Sequence, residues 1–269
     1  MEHGVNTVNS VNMAPLLKIM QRLREPENGC PWDLKQNYST IVPFTIEEAY
    51  EVADVIERQA FDELPDELGD LLFQIIFYCQ LAAEEGRFEF ADVVERLNDK
   101  LVNRHPHVFS SAERAQDSKT EQANWEAQKS QERKQRQQHS VLDDIPLTVP
   151  SLTRAHKMQK RAAAVGFDWD NVNDVAAKVD EELQEVMEEV SSQKRDQDRI
   201  QDEIGDLLFS VVNLARHLNV EPEQALRQGC KKFERRFRQV EQSVAADEQQ
   251  MKNLTIHELD KYWNQAKSE

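Results

Sequence analysis

Residues 47–51 run Glu47-Glu48-Ala49-Tyr50-Glu51 and residues 67–73 run Glu67-Leu68-Gly69-Asp70-Leu71-Leu72-Phe73. Further on, Glu181-Glu182-Leu183-Gln184-Glu185 is followed by Glu203-Ile204-Gly205-Asp206-Leu207-Leu208-Phe209, the same acidic pattern in the same order. Apolar residues recur at helical spacing through both copies: Leu64, Leu68, Leu71, Leu72, Ile75, Ile76 and Cys79 in one, and Ile204, Leu207, Leu208, Val211, Val212 and Ala215 in the other. A period of 3.6 gathers such residues into one stripe, which predicts amphipathic helices. Glu67 and Asp70 are three apart and share a face of their helix, as do Glu203 and Asp206. The preceding helix is predicted to start near Thr45 in the first copy, where Thr45-Ile46-Glu47-Glu48 has the form of a capping box. In the second copy it is predicted to start near Asn173 or Asp174.

The repeat extends outward from these acids. Met20-Gln21-Arg22 before Trp32-Asp33 answers to Met158-Gln159-Lys160 before Trp169-Asp170. Lys100 and Arg104 answer to Lys232 and Arg236, and Trp125 with Lys129 to Trp263 with Lys267. The offset stays at about 135 residues, the length of a small domain, so the chain is a tandem duplication. Residues 110–140 are polar and charged, consistent with a solvated helix or a tether, and Pro146 and Pro150 punctuate the entry to the second copy. The expected domains are residues 1–145 and 146–269.

Few glycines and prolines (7 and 9 in 269 residues) beside abundant Glu, Gln, Ala, Leu, Lys and Arg favour helix over sheet, and an apolar fraction of 39% is enough for a core. The predicted fold class is all-α. No apolar run is long enough to span a bilayer, and no membrane partner is expected. The formal charge of -17 argues against a nucleic-acid duplex as partner, because duplexes are held by an excess of Lys and Arg. Free nucleotides escape that exclusion, since a bound cation reverses the local field of an acidic pocket. Cys30, Cys79 and Cys230 are odd in number and lack metal-ligand spacing, which suits a reducing, cytoplasmic setting. The opening MEHGVNTVNS shows neither the basic nor the apolar region of a secretory signal.

Mg²⁺ takes octahedral oxygen ligation and is commonly held by a few carboxylates together with substrate phosphate. Glu182 and Glu185 against Glu203 and Asp206 can supply such a shell, as can Glu48 and Glu51 against Glu67 and Asp70. The first acid of each triplet, Glu181 or Glu47, is then left to orient or deprotonate a water. An isolated E-E-x-x-E is usually a solvated helix face. Here the acids border an apolar stripe, where unpaired carboxylates are costly, and the grouping recurs. Di-iron bundles use Glu-x-x-His, but no His in this chain follows a Glu by three residues. The all-oxygen set suits Mg²⁺, with Mn²⁺ as a substitute, better than iron. Nucleophilic catalysis and a Gly-rich phosphate loop find no motif here.

Lys232 and Arg236, at i and i+4, offer cations for phosphate or else belong to a face of surface ion pairs. Trp263 with Lys267 can set an indole against a base and an ammonium against a phosphate, or can simply anchor the last helix.

The paired E-E-x-x-E and E-x-x-D units, the Met-Gln and Trp-Asp segments before them, and KFERRFR and YWNQAK after them resemble the MazG family of tandem-domain nucleoside triphosphate pyrophosphohydrolases. The likeness runs from about Leu16 to Lys267. It implies an all-α fold of the NTP pyrophosphatase type, helices paired across a homodimer, and Mg²⁺-dependent hydrolysis of NTPs or dNTPs, ATP among them, to monophosphate and pyrophosphate. It implies Glu182, Glu185, Glu203 and Asp206 as metal ligands, and Lys178, Arg199, Lys232, Arg236, Trp263 and Lys267 as nucleotide-binding residues. Glu181 is the candidate catalytic base.

The two copies differ in charge. Lys178, four before Glu182, has Phe44 at the matching place, and Arg199, four before Glu203, has Glu63. Pro65 falls in the short connection before Glu67. The second copy is therefore expected to be the main catalyst. Glu47, Glu48, Glu51, Glu67, Asp70, Lys100, Arg104, Trp125 and Lys129 form a possible second site. The rival functions are a helical partner-binding module whose metal is structural, and a triphosphatase releasing orthophosphate.

Overall fold

The computed structural model describes residues 12–109 and 140–267, which are helical with no strand among them. The chain divides into two compact units, Met1–Gln128 and Lys129–Glu269. The polar stretch 110–139, with Trp125 and Lys129, lies outside the described residues.

The first unit holds α1 (Ala14–Leu23), α2 (Tyr38–Arg58), α3 (Leu64–Glu84), α4 (Phe90–Arg104) and the single turn α5 (Pro106–Phe109). The antiparallel pair α2 and α3 carries the acids, and α1 and α4 pack on α3. Its centre is Met20, Ile41, Ile76, Phe77 and Leu81, with Phe44, Leu72 and Phe73 packed against them. Full burial of each large side chain there contributes roughly 1.5–3 kcal/mol.

The first acidic helix starts seven residues earlier than the Thr45 box predicts. Asn37 is the cap: its Oδ1 accepts from the backbone N–H of Ser39 and Thr40, and the Thr40 hydroxyl accepts from the Asn37 N–H. The helix runs on through Pro43, and Thr45 is interior, its hydroxyl bonded to the Ile41 carbonyl at 3.2 Å. A favourable cap and a buried face outweigh the donor that Pro43 lacks. Pro65 likewise sits in the first turn of α3, where no N–H is required, rather than in the connection.

The loop after α1 is fixed by Arg24, whose side chain is only 8% exposed. Its guanidinium donates to both carboxylate oxygens of Glu84 at 2.7 and 2.8 Å and to the Asp33 carbonyl, and lies 5.3 Å from the Phe77 ring centre. Within that loop, a Cβ on Gly29 would stand 2.5 Å from the Leu23 carbonyl, so only glycine fits.

The second unit holds α6 (Ser151–Ala163), α7 (Val172–Ser191), α8 (Gln197–His217), α9 (Pro222–Ala246) and α10 (Ile256–Ala266). Asn171 caps α7 by accepting from the Asp174 N–H at 3.1 Å, close to the predicted start. The pair α7 and α8 carries the acids; α6 packs on α8 and α9, and α10 on α9. The buried apolar cluster of this unit, Val240, Val244 and Ala266, lies between α9 and α10. Residues 141–145 belong with this unit, not with the first copy as the proline punctuation suggested. The carbonyls of Val141 and Asp143 accept from Arg161, and Ile145 is buried.

Part of each predicted apolar stripe stays uncovered: Leu68 and Ile75 on α3, and Ile204, Leu208 and Val211 on α8, are exposed. Among the described residues, no helix is long and apolar enough to cross a membrane.

Candidate metal and nucleotide site

In the second unit, Glu182 and Glu185 on α7 and Glu203 on α8 each bring a carboxylate oxygen within 4.8 Å of the others. Glu182 is 5% exposed. Its Oε1 lies 2.7 Å from the Lys178 ammonium, while its Oε2 is buried and has no partner. A buried carboxylate oxygen without a hydrogen-bond partner is costly, and a divalent cation would satisfy it. Burial, and next the charge of Glu182, pushes the Glu185 carboxyl above its ordinary value, a pressure that a cation would relieve. The hard, all-oxygen donor set fits Mg²⁺.

Lys178 bridges two members of the triplet, since its Nζ also lies 3.0 Å from Glu181 Oε1. Hydrogen bonds to Glu182 and then Glu181 hold the ammonium well above its usual value, so it stays charged. Glu181 points outward, with more than half its side chain exposed. Asp206 is exposed and falls outside the close group. Arg199 is ion-paired to Glu189 at 2.5 Å, which commits its guanidinium to the end of α7.

Lys232 is exposed on α9, and Arg236, one turn on, is half-buried with its Nε lacking a partner. Trp263 packs 5.3 Å from the Phe233 ring and against the Val240 cluster, and the Lys267 ammonium stands 6.0 Å over the indole. The anchoring alternative for Trp263 thus has direct contacts behind it.

The first unit assembles a related but not identical group, Glu48 with Glu67 and Asp70. Glu51 is exposed and outside it, whereas in the second unit the odd one out is Asp206. Burial first, then Asp70 and Glu51, pushes the Glu48 carboxyl up; burial and then Glu51 does the same for Glu67. A shallow depression beside the group is lined by Glu47, Glu51, Glu67 and Arg58. Arg58 donates to Asp54 and Glu63 at 2.7 Å each, so this end of the helix pair is not without a cation, but that cation is spent on its neighbours. Lys100 is exposed on α4, and Arg104 lies half-buried in its last turn.

Sequence reasoning missed a cavity of about 290 Å³ in the second unit, close to the ~300 Å³ lower bound of typical small-ligand pockets. Lys178 lines it, so the cavity and the carboxylate group share a wall. Its other walls include Trp169, Phe209, Gln159 and Asn213.

Two copies of an acidic helix pair, each converging three carboxylates, define an all-α protein whose acidic groups are compatible with a divalent cation. The MazG nucleotide pyrophosphohydrolase domain matches residues 36–109 and again 171–241. The chain is 53% identical over 252 residues to the nucleoside triphosphate pyrophosphohydrolase of Escherichia coli strain K12, covering 94% of this chain and 95% of that one. It is 41% identical to the nucleoside triphosphate pyrophosphohydrolase/pyrophosphatase MazG of Thermotoga maritima, over 94% of each. It is also 41% identical to an uncharacterised protein, YabN of Bacillus subtilis, across 93% of this chain and 50% of that one. The chain belongs to the MazG family.

Proposed function

We propose that the chain hydrolyses nucleoside triphosphates to nucleoside monophosphate and pyrophosphate, principally at the carboxylate group of the second unit. The observation that carries this is the buried, unpartnered Oε2 of Glu182 beside Glu185 and Glu203, with the Lys178 ammonium on its other oxygen. The names of the E. coli and T. maritima relatives support the reaction class.

Glu182, Glu185 and Glu203, with Asp206 one turn beyond, would hold Mg²⁺, or Mn²⁺ in its place. When bound, the cation neutralises the triphosphate and the departing pyrophosphate. The remaining work falls to the chain. Glu181 orients a water, or takes its proton, for attack at the α,β phosphoanhydride. Lys178 holds one oxygen of Glu182 and presents positive charge at the junction with the cavity. Lys232 and Arg236 on α9, with Lys267, supply cations for the polyphosphate, and Arg199 joins them if it leaves Glu189. The first unit serves as a weaker cation site or as support for the fold.

Product analysis tests this directly. Incubation with NTPs and Mg²⁺ should give pyrophosphate and monophosphate. Orthophosphate with diphosphate would instead mark a triphosphatase, and no hydrolysis would leave a partner-binding module.

We also infer that the chain acts as a homodimer in the cytoplasm. The uncovered residues Leu68, Ile75, Ile204, Leu208 and Val211 support pairing, and a Cβ on Gly69 or Gly205 would meet nothing within 4 Å, which leaves backbone open to close approach. Sedimentation at micromolar concentration giving a monomer would refute it.

A further inference from the structure

We propose that the loop joining α6 to α7 in the second unit, residues 164–171, is a flap over the cavity, and that Arg216 is the positioning residue that clasps it shut through Asp168; this rests on the nucleotide-hydrolysing function proposed above. The loop supplies Phe167, Asp168 and Trp169 to the cavity wall, yet it is poorly seated. Val165 is 63% exposed and Phe167 78%, so little apolar burial holds either in place. Gly166 takes φ +90°, a conformation that favours glycine, and marks the hinge.

Asp168 ties this loop to α8. Its Oδ1 accepts from Arg216 Nη2 and lies 3.0 Å from His217 Nε2, both in the last turn of that helix, and it also accepts from the Trp169 N–H at 2.9 Å. Arg216 in turn donates through Nε to Asn213 Oδ1 at 2.9 Å, so one guanidinium joins the flap to the α8 wall of the cavity. Burial works against the charge on Asp168, but the donors from Arg216, His217 and Trp169 outweigh it and hold the carboxyl below its ordinary value. Asp168 keeps about a quarter of its side chain in water, and ion pairs that reach solvent are weak enough to open. Lys178 lines the same cavity and contacts Glu182, so a flap there controls the way to the carboxylate group.

The other copy gives the comparison. Counting from the acids that align, Phe77 stands where the second copy has Asn213, and Phe44 where it has Lys178. Phe77 is 0% exposed and, with Met20 and Ile41, forms the first unit's buried cluster, against which Phe44 packs. The first copy thus fills this place with hydrocarbon. Its Trp-Asp loop has Pro31 where the second has Asp168, and Gln80 and Leu81 where the second has Arg216 and His217. That loop is bolted instead by Arg24, a buried side chain held between Glu84 and the Asp33 carbonyl. Where the space is filled, the loop is locked from inside; where the cavity is open, it is held by a clasp that reaches the surface.

The test uses the full chain. Asp168→Asn keeps an oxygen for the Trp169 N–H and removes the charge that Arg216 grips. Hydrogen exchange read by mass spectrometry should rise at least fivefold in residues 164–171 and stay unchanged in α8 and α9. Pyrophosphate release should show KM for nucleoside triphosphates raised at least fivefold with kcat within threefold. Arg216→Glu should do the same, and Asp168→Lys combined with Arg216→Glu should recover most of the loss, as a coupled pair does and two independent sites do not. Arg216 is mostly buried, so Asp168→Asn serves alone if the Arg216→Glu chains do not fold. Unchanged exchange in residues 164–171 overturns the clasp. Faster exchange with unchanged KM overturns the positioning role, and exchange that rises equally through the whole second unit marks a merely structural pair and overturns both. If the unmodified chain releases no pyrophosphate, the hydrolase function fails, and the loop exchange of Asp168→Asn then judges the clasp alone.

Discussion

The Lys178 ammonium stands 2.7 Å from one oxygen of Glu182, a buried carboxylate whose other oxygen has no partner. A cation from the protein and a cation from solution would therefore share one carboxylate. Repulsion between them predicts opposite effects of Lys178→Met: tighter divalent binding by several-fold, and turnover lower by roughly ten- to a hundredfold, about 1.4–2.7 kcal/mol of transition-state stabilisation. Mn²⁺ titration calorimetry beside pyrophosphate release measures both; weaker Mn²⁺ binding would contradict this account of the bridge.

Glu182→Ala is predicted to lower pyrophosphate release by roughly a hundredfold or more, since it removes the ligand that meets both charges. Glu48→Ala, in a group whose neighbouring cation Arg58 is already paired, should leave most activity. The reverse ranking would assign catalysis to the first unit.

Mg²⁺ should stabilise the folded chain, by about 2.7 kcal/mol at a hundred times its Kd. Thermal melts with and without EDTA read this, and Glu182→Ala should lose the larger share of the gain. A melting temperature indifferent to Mg²⁺ in the unmodified chain would remove the metal site.

Arg24→Ala should destabilise the first unit toward the low end of ~3–5 kcal/mol, because the Arg24 side chain is buried while Glu84 keeps about a third of its side chain in water. Urea unfolding gives the number. A change below ~1 kcal/mol would show that the pair is energetically idle.

Burial pushes the His156 imidazole on α6 below its ordinary value of ~6.5; Glu221 opposes this, and Lys160 and Arg216 add to it. The unfolded chain then binds a proton that the folded one resists, so stability is full above ~6.5 and falls as pH drops below it. His156→Gln should flatten that slope between pH 7 and 5. An unchanged slope in urea titrations would place the cause elsewhere.

The duplicated acids, the helices that bear them and the all-α class were legible because period and spacing are local properties. Which three of four acids converge was not: Glu51 and Asp206 drop out of their groups through side-chain placement that spacing does not encode. The α2 start was misjudged because Thr45 offers a cap in form, while Asn37 provides one that tolerates Pro43 further in. The cavity was hidden because Gln159, Lys178 and Asn213 come from three helices and each alone resembles core or surface. Its trace was visible in the exchange of Lys178 for Phe44, but that change reads first as a missing charge. It becomes a filled space only once Phe77 is seen beside it.

The filled centre of one copy and the open centre of the other give the two halves different tolerances to mutation. Around Phe77, loss of a few methylenes leaves a void, so variants there should be culled by falling abundance. Around Asn213, on the wall of the open cavity, variants should persist nearer normal levels while activity at low nucleotide concentration falls. A saturation screen scored for both abundance and activity would split this chain near its middle, although its two sequences remain recognisably the same.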